Sequence, residues 1–306
     1  MAQARIEAPA KINVHLEIRG RRPDGFHDLE SVFLETAFGD SLLITEEGPE
    51  CSCEIAMCWE PPLRAGELKD NIIATAVDCF RKRTFYRKGL RIAVEKRIPV
   101  GSGMGGASSD AAGVLVALNA LSDSCLAEPE LLEMAAELGS DVPFFIRGGA
   151  ALVRGRGEIL ESLPLPSGLQ VVLVNPLLPS STAEAFRLLD RKREGRMEFP
   201  RGNRPSDPAE WAALLEGPPG KWPFRNDFLP LFLEEETPCQ YAKILGDLKE
   251  SGAEFTGLSG SGSTCFGIYS DGGEAKKAFD FLLKRRLFVK LTFFLAKRGL
   301  EVVRLS

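Results

Sequence analysis

The segment Pro99–Ala112 reads Pro-Val-Gly-Ser-Gly-Met-Gly-Gly-Ala-Ser-Ser-Asp-Ala-Ala. Its glycines let the backbone approach an anion closely and adopt positive φ. The alanine-rich run behind them is a strong helix former. The string therefore brings free N–H groups and a helix N-terminus to one point, which is the chemistry of a phosphate site. Ser108 and Ser109 add hydroxyls that can donate to phosphate or ligate magnesium. No Gly-Lys-Ser/Thr closes the loop, so it is not a Walker A loop. The plain alternative is a flexible glycine loop with a serine helix cap, and the length of the string argues against it.

Three other strings carry usable groups. Pro9-Ala10-Lys11-Ile12-Asn13 sets a lysine among small residues, on one strand face with Asn13 and His15. Such a face ordinarily meets solvent, but a lysine on it can also neutralise a phosphate or a reacting oxygen. Leu138-Gly139-Ser140-Asp141-Val142-Pro143-Phe144-Phe145 puts an aspartate just ahead of a proline-led apolar turn. Taken alone this is a helix cap, yet a carboxylate there can equally accept a proton from an attacking hydroxyl or orient it. Thr256–Thr264 is a second glycine-serine loop, followed at once by the buried-type strand Cys265–Tyr269. It is thus a tight internal loop able to close over phosphates from a second domain.

The elements that must hold these strings follow from periodicity. Ile12, Val14, Leu16 and Ile18 alternate with polar residues, which predicts a strand. Pro23-Asp24-Gly25 is a turn signal, and Phe26–Leu34 returns as a second strand. Strands are expected at 41–45, 53–58, 90–96, 150–153, 171–175, 265–269 and 300–305. Helices are expected at 71–83, 105–121, 129–138, 241–251 and 274–297. Arg191–Lys221 is polar and rich in proline and glycine, so it reads as a long surface excursion. The strands come mostly as hairpins, which argues for α+β rather than a Rossmann sheet. Two α+β domains fit, 1–160 and 161–306.

Composition excludes several classes. The chain has 306 residues, 44% of them hydrophobic, enough for two packed domains. A net charge of −5 supplies no global field for nucleic acid or anionic lipid. The basic runs Arg81–Lys88 and Lys284–Arg286 read as solvated helix ends. Met1–Ala10 lacks a signal pattern and no apolar run is long enough to span a bilayer, so a cytoplasmic protein is expected. The odd count of seven scattered cysteines points to reduced thiols. With two histidines and no zinc-like cysteine spacing, no structural metal site is expected.

Taken together, the strings resemble the GHMP kinases, which share three such motifs in this order. Gly20-Arg21-Arg22-Pro23-Asp24-Gly25-Phe26-His27, with Pro9–Asn13, resembles the members that phosphorylate 4-diphosphocytidyl-2-C-methyl-D-erythritol in the non-mevalonate isoprenoid pathway. The resemblance runs from Glu7 to about Tyr269. It implies a ribosomal-S5-like N-terminal domain, a ferredoxin-like C-terminal domain, and an active site in the cleft between them. It also implies ATP and Mg2+ as cofactors, a small cytidyl sugar alcohol as partner, and neither nucleic acid nor membrane.

The same resemblance implies residue roles. Lys11 and Asp141 form the catalytic pair. Pro99, Gly101, Gly103, Gly105, Gly106, Ala107, Ser108 and Ser109 hold the ATP phosphates, with Ser109 as a magnesium ligand. Asn71, Lys96 and Asn119 surround the adenosine. Asn13, Phe26, His27, Thr182, Phe186, Gly260, Ser261 and Gly262 meet the substrate, His27 at the cytosine edge and Phe26 and Phe186 against its ring. Phe26 replaces the commoner tyrosine, which keeps stacking and loses a hydroxyl. The apolar and basic stretch Phe279–Lys297 is read as a longer docking helix or an oligomer surface, and a homodimer is one expectation. Two rivals remain: another GHMP kinase, which should lack the Arg21–His27 string, and a non-catalytic nucleotide-binding protein, which should lack Lys11 or Asp141.

Overall fold

The computed structural model describes all residues except 61–62, 64–70, 123–124, 179, 194–204, 206, 235–238, 286, 296–298 and 306. The chain opens with a long hairpin, β1 (Gln3–Arg21) and β2 (His27–Glu46). Its turn is closed by Arg22 N–H donating to Phe26 O at 2.7 Å, with Asp24 Oδ1 accepting from Phe26 N–H at 3.1 Å. Gly25 sits at φ +87°, the conformation the Pro-Asp-Gly signal demands. The runs expected at Phe26–Leu34 and Ser41–Thr45 are one continuous strand. β3 (Cys53–Trp59), α1 (Ile72–Thr84) and β4 (Leu90–Lys96) follow as a parallel crossover, and β4 pairs antiparallel with β2. Then come α2 (Gly106–Leu121), α3 (Glu128–Leu138), α4 (Val142–Arg147) and the hairpin β5 (Ala150–Gly155) with β6 (Ile159–Leu163).

The second sheet is antiparallel. It contains β7 (Gln170–Asn175), β8 (Phe255–Leu258), β9 (Cys265–Tyr269) and β10 (Phe288–Phe293) in the order β10-β7-β9-β8. Between β7 and β8 run α5 (Thr182–Lys192), α6 (Pro208–Glu216), a 3-10 turn at Pro219–Lys221, α7 (Leu229–Glu234) and α8 (Cys239–Glu250). α9 (Gly272–Leu283) precedes β10. The last strand, β11 (Val302–Leu305), returns to pair antiparallel with β1, so both chain termini lie in the first sheet.

Two sequence expectations are corrected. The helix expected over Glu274–Lys297 stops at Leu283, and Phe288–Phe293 is a strand paired to β7. Its apolar residues satisfy either period, and the exposed edge of β7 decides between them. The excursion Arg191–Lys221 contains α6, capped by Asp207 Oδ1 accepting from Glu210 N–H at 2.9 Å. Trp211 and Leu215 on this helix are buried with Trp222 and Phe224. The rest of that excursion falls partly outside the described residues.

Packing explains how β1 carries the site. Ala4, Ile6 and Ala8 pack under α1 and α2, while Ala10, Ile12 and Val14 pack against Val171, Leu173, Phe266 and Ile268 of the second sheet. The switch occurs at the bulge between Pro9 and Lys11. A bulge re-aims every side chain beyond it. It leaves Lys11 facing Phe33 and Asp141, and Asn13 facing Ser31 and Ser259. Lys11 and Asn13 are accordingly buried, 4% and 3% exposed; a second bulge, between Asn13 and His15, breaks the expected shared face and turns His15 onto Trp211 and Phe224.

Candidate active site

The two domains enclose a cleft of about 410 Å³ with the glycine loop along one wall. Gly101, Gly103 and Gly105 all have positive φ, between 64° and 76°. A Cβ at Gly103 would stand 2.1 Å from Ser259 O. The loop therefore lies directly on the second glycine-serine loop. Thr264 N–H donates to Ser102 O at 3.1 Å, and Ser259 Oγ donates to Gly103 O at 2.8 Å. Gly105 caps α2 without any side-chain hydrogen bond, and no acidic residue occupies the first turn. The N-terminus of this 16-residue helix thus presents unpaired N–H groups to the cleft.

Lys11 stands across from that helix end. Its backbone N–H donates to Met104 O at 3.0 Å, which ties β1 to the loop. Its ammonium donates to Asn13 Oδ1 at 2.6 Å, lies 3.5 Å from Asp141 Oδ2, and sits 4.4 Å above the Phe33 ring. Burial lowers the Lys11 pKa from the ordinary lysine value, and the Asp141 carboxylate opposes the shift. Asp141 occupies the N-cap position of α4 but makes no capping hydrogen bond through its side chain. Its carboxylate is turned into the cleft toward Lys11, which argues against the plain capping reading. Asn13 is held by donating to Ser31 Oγ at 2.9 Å and by its own N–H reaching Ser259 Oγ at 3.3 Å.

Lys96 also lines the cleft, but its ammonium is committed to Asp40 and Asp110. Burial works against the Lys96 charge and the two carboxylates outweigh it, so its pKa rises. Burial pushes Asp110 up to about 7, with Lys96 opposing. Asp40 also accepts from the N–H groups of Arg97 and Ile98 and so fixes the strand-to-loop passage. Asn71 caps α1 by accepting from Ile73 N–H at 3.1 Å, on the wall formed with Met57, Trp59 and Ile98.

At the far end, Thr182 Oγ1 and Ser261 Oγ share a hydrogen bond of 2.9 Å. The Phe186 ring meets Phe228 edge-on at 5.1 Å and stacks on His27 at 4.6 Å. His27 Nε2 stands 2.7 Å from Asp190 Oδ1. Asn226 was not singled out by sequence reasoning. Its amide donates to Leu258 O and Gly260 O, both at 2.8 Å, and accepts from Phe228 N–H at 2.9 Å. It couples the second loop to the aromatic wall, and no sequence motif marks it.

The structure thus gathers Lys11, Asn13, Asn71, Lys96, Asp141, Thr182, Phe186, Gly260, Ser261 and the loop from Pro99 through Ser108 around one cleft. Five expected residues stand off its lining. Ser109 is fully buried in α2, with no partner for its Oγ among the described residues. Asn119 uses its amide to bracket Leu126, with bonds of 3.0 Å to its O and 2.8 Å from its N–H. Phe26 is 54% exposed at the hairpin tip with Arg156 over its ring, so it does not join the Phe186 wall. His27 lies behind Phe186, and at that ring spacing no base fits between them. Gly262 packs near Tyr241 and Leu258. Asp40, Asp110, Trp59 and Phe33 are contributors that the motifs alone did not identify.

Comparison with known proteins agrees with this geometry. Residues 71–149 match the GHMP kinases N terminal domain, and residues 233–287 match the GHMP kinases C terminal model. A 4-diphosphocytidyl-2-C-methyl-D-erythritol kinase of Synechococcus sp. (strain CC9902) is 37% identical over 285 residues, 89% of this chain and 90% of that protein. One from Treponema pallidum (strain Nichols) is 36% identical over 93% of this chain and 96% of its own. A crystal structure of 4-(cytidine 5'-diphospho)-2C-methyl-D-erythritol kinase superposes with a TM-score of 0.72 at 29% identity, covering 94% of this chain and 98% of its own. Homoserine kinase from Cytophaga hutchinsonii shares the fold, with a TM-score of 0.69 at 17% identity over 98% of this chain and 97% of its own. The chain therefore belongs to the 4-diphosphocytidyl-2-C-methyl-D-erythritol kinase family of the GHMP kinases.

Proposed function

We propose that the protein transfers the γ-phosphoryl group of ATP to the 2-hydroxyl of 4-diphosphocytidyl-2-C-methyl-D-erythritol. The observation that carries the reading is the buried Lys11 ammonium paired with the half-buried Asp141 carboxylate, facing an uncapped helix N-terminus across one cleft. In the transfer the acceptor oxygen bonds to the γ-phosphorus, and the bond from that phosphorus to the β,γ-bridging oxygen breaks to release ADP. The hydroxyl proton leaves to the Asp141 carboxylate, which also aligns the hydroxyl. The Lys11 ammonium lies where charge develops on the transferring group, and the glycine-loop N–H groups receive the phosphates. Such a reaction asks for positioning and charge stabilisation rather than covalent help.

Magnesium fits as a partly protein-held ion. Among the described residues no cluster of three His, Cys, Asp or Glu forms a cage. The Ser108 hydroxyl lines the cleft, and the Asp110 Oδ1 on the same lining lacks a partner among the described residues, which suits an ion held mainly by nucleotide oxygens; Ser109 stands off the lining and is not assigned to it. When bound it would neutralise phosphate charge. The Phe186–Phe228 wall, with His27 fixed behind it, is the surface for a pyrimidine ring. Among the described residues no helix is long and apolar enough to cross a membrane, and Cys51, Cys53, Cys58, Cys79, Cys125 and Cys265 are free thiols. We read the protein as cytoplasmic. A homodimer would use the exposed Phe281, Leu283 and Phe293.

The test is phosphorylation of the cytidyl alcohol by purified protein with ATP and magnesium, followed by phosphorus NMR, with mevalonate and homoserine as control acceptors. A new phosphomonoester on the cytidyl substrate alone is expected. Turnover of a control instead overturns the substrate assignment and leaves the kinase; turnover of none of the three overturns the activity.

A further inference from the structure

Glu35 is a buried carboxyl group that the chemistry above does not use. It is 1% exposed on β2, directly opposite Lys11 in the β1–β2 ladder. Its Oε2 accepts from Gly149 N–H at 2.5 Å, and its backbone N–H donates back to Gly149 O at 2.8 Å. Its Oε1 is buried with no partner among the described residues. Gly148 and Gly149 form the turn that ends α4, and Gly148 N–H closes that helix on Phe144 O at 2.6 Å.

Both glycines have positive φ, 62° and 78°, and a Cβ on Gly148 would stand 2.5 Å from Glu35 Oε2 and 2.4 Å from Gly299 N. The C-terminal segment approaches from the other side, with Leu295 N–H donating to Glu35 O at 3.3 Å. The Glu35 side chain therefore links β2, at the position opposite Lys11, to the C-terminal end of the helix whose N-cap is Asp141.

We propose that Glu35 is a positioning residue for the phosphoryl transfer: in its neutral form it holds the end of α4, and so sets the separation of Asp141 from Lys11. The inference rests on the kinase reading above. α4 is only six residues long and Val142–Ile146 are all buried, so it moves as a rigid peg. A shift at Gly148–Gly149 is delivered to Asp141.

Among the described residues, the charged groups nearby do not compensate an ionised Glu35. Lys11 on β1 turns its ammonium to Asn13 and Asp141. Arg147 at the end of α4 pairs with Glu128 of α3 at 3.3 Å. Among the described residues, β5 and the C-terminal segment bring it only the Gly149 N–H, Gly299 and Leu295. Burial pushes the carboxyl up to about 7, against the weaker pull of the Gly149 N–H. Ionisation above that value leaves a charge with one donor in apolar surroundings, and relaxing the turn toward water relieves it.

The sign follows. The productive geometry is present below the folded value and lost as pH rises through it. Near pH 8 only about a tenth of Glu35 stays neutral, so wild-type kcat is expected to fall up to about tenfold from its value near pH 6, with both KM values steady. Glu35→Gln keeps the shape and an acceptor for Gly149 and has nothing to ionise. Its kcat is expected to lose the limb that follows Glu35 and to stay level across that range. Glu35→Ala removes the acceptor, and its kcat is expected about tenfold low at every pH with KM unchanged.

A neutral-range limb that persists in Glu35→Gln overturns the proposal, as does a wild-type kcat that shows no such limb. Should the Gln variant fail to fold, infrared titration of Asp110→Asn, which removes the other buried carboxyl that titrates near 7, follows the Glu35 band; loss of that band only in the ordinary carboxylate range overturns the proposal too. The profile can be read with whichever alcohol the wild type accepts, so failure of the substrate assignment and failure of the Glu35 assignment are separate results.

Discussion

Replacing Gly103 by alanine tests the contact on which the cleft depends. Gly103 has φ +76°, where an L side chain costs about 1–2 kcal/mol. The new Cβ also meets Ser259 O at 2.1 Å and Gly262 O at 3.0 Å, and these are backbone atoms that no rotamer change can clear. Forcing the two loops apart adds about 1–3 kcal/mol, the usual cost of overpacking. Gly168 is the natural control, with φ +73° and nothing within 4 Å of an added Cβ. Gly168→Ala should lose only the backbone component, about 1–2 kcal/mol.

Gly103→Ala should lose about 2–5 kcal/mol in urea unfolding. The loops that separate are the ones that cradle the nucleotide, so part of the loss appears as ATP binding. At about 1.4 kcal/mol per tenfold, the KM for ATP should rise about tenfold or more, while Gly168→Ala leaves it unchanged. Urea midpoints and ATP saturation curves of the two variants decide the matter. Equal stability losses with an unchanged ATP KM would refute the claim that the two glycine loops are one packed unit.

The remaining predictions concern the reacting groups. Asp141→Asn should lower kcat by about 10²–10⁴-fold, and thermal unfolding should barely move, because the Asp141 side chain makes no capping hydrogen bond. Near-normal turnover would return Asp141 to a structural role. The Lys11 pKa lies below 10.5 because burial disfavours the ammonium and Asp141 only partly restores it. Activity that needs the ammonium is therefore present below that folded value and lost as pH rises through it. In Asp141→Asn the descending limb of the residual rate should move to lower pH; a limb that stays put or moves upward would break the Lys11–Asp141 linkage. His27→Ala removes the stack behind Phe186 and the contact to Asp190, and should raise the KM for the cytidyl substrate about tenfold, from a loss of about 1–2 kcal/mol. The KM for ATP should not change, and an unchanged cytidyl KM would count against a base-recognition wall.

Much of the site was legible because its chemistry is local. A glycine string that runs into alanines specifies a loop and a helix N-terminus through backbone freedom and propensity alone, and Gly101 to Ser108 form that structure. The Pro23-Asp24-Gly25 turn and the capping of α1 by Asn71 are likewise decided within a few residues. Contacts across the fold were not legible in this way. The helix expected through Phe279–Lys297 fails because β7 offers a sheet edge to Phe288–Phe293. Asn119 lies in the right string but at the wrong end of α2, eleven residues and three turns beyond Ser108, where its amide serves the Leu126 turn.

The polar face of β1 marks the division most clearly. Alternation along the chain predicts one face for Lys11, Asn13, His15 and Glu17, because a strand repeats every two residues, but a second bulge between Asn13 and His15 turns His15 onto Trp211 and brings Leu16 to the cleft beside Asn13. Alternation could not determine whether that face meets water. The bulge after Pro9, the second sheet laid over Ala10, Ile12 and Val14, and the approach of α4 decided that Lys11 is buried beside Asp141. The residues able to do chemistry are written in the sequence, since side-chain type and local backbone preference are properties of short segments. Their pKa shifts and mutual distances belong to the tertiary structure, because desolvation and Coulomb interaction depend on atoms brought together from distant parts of the chain.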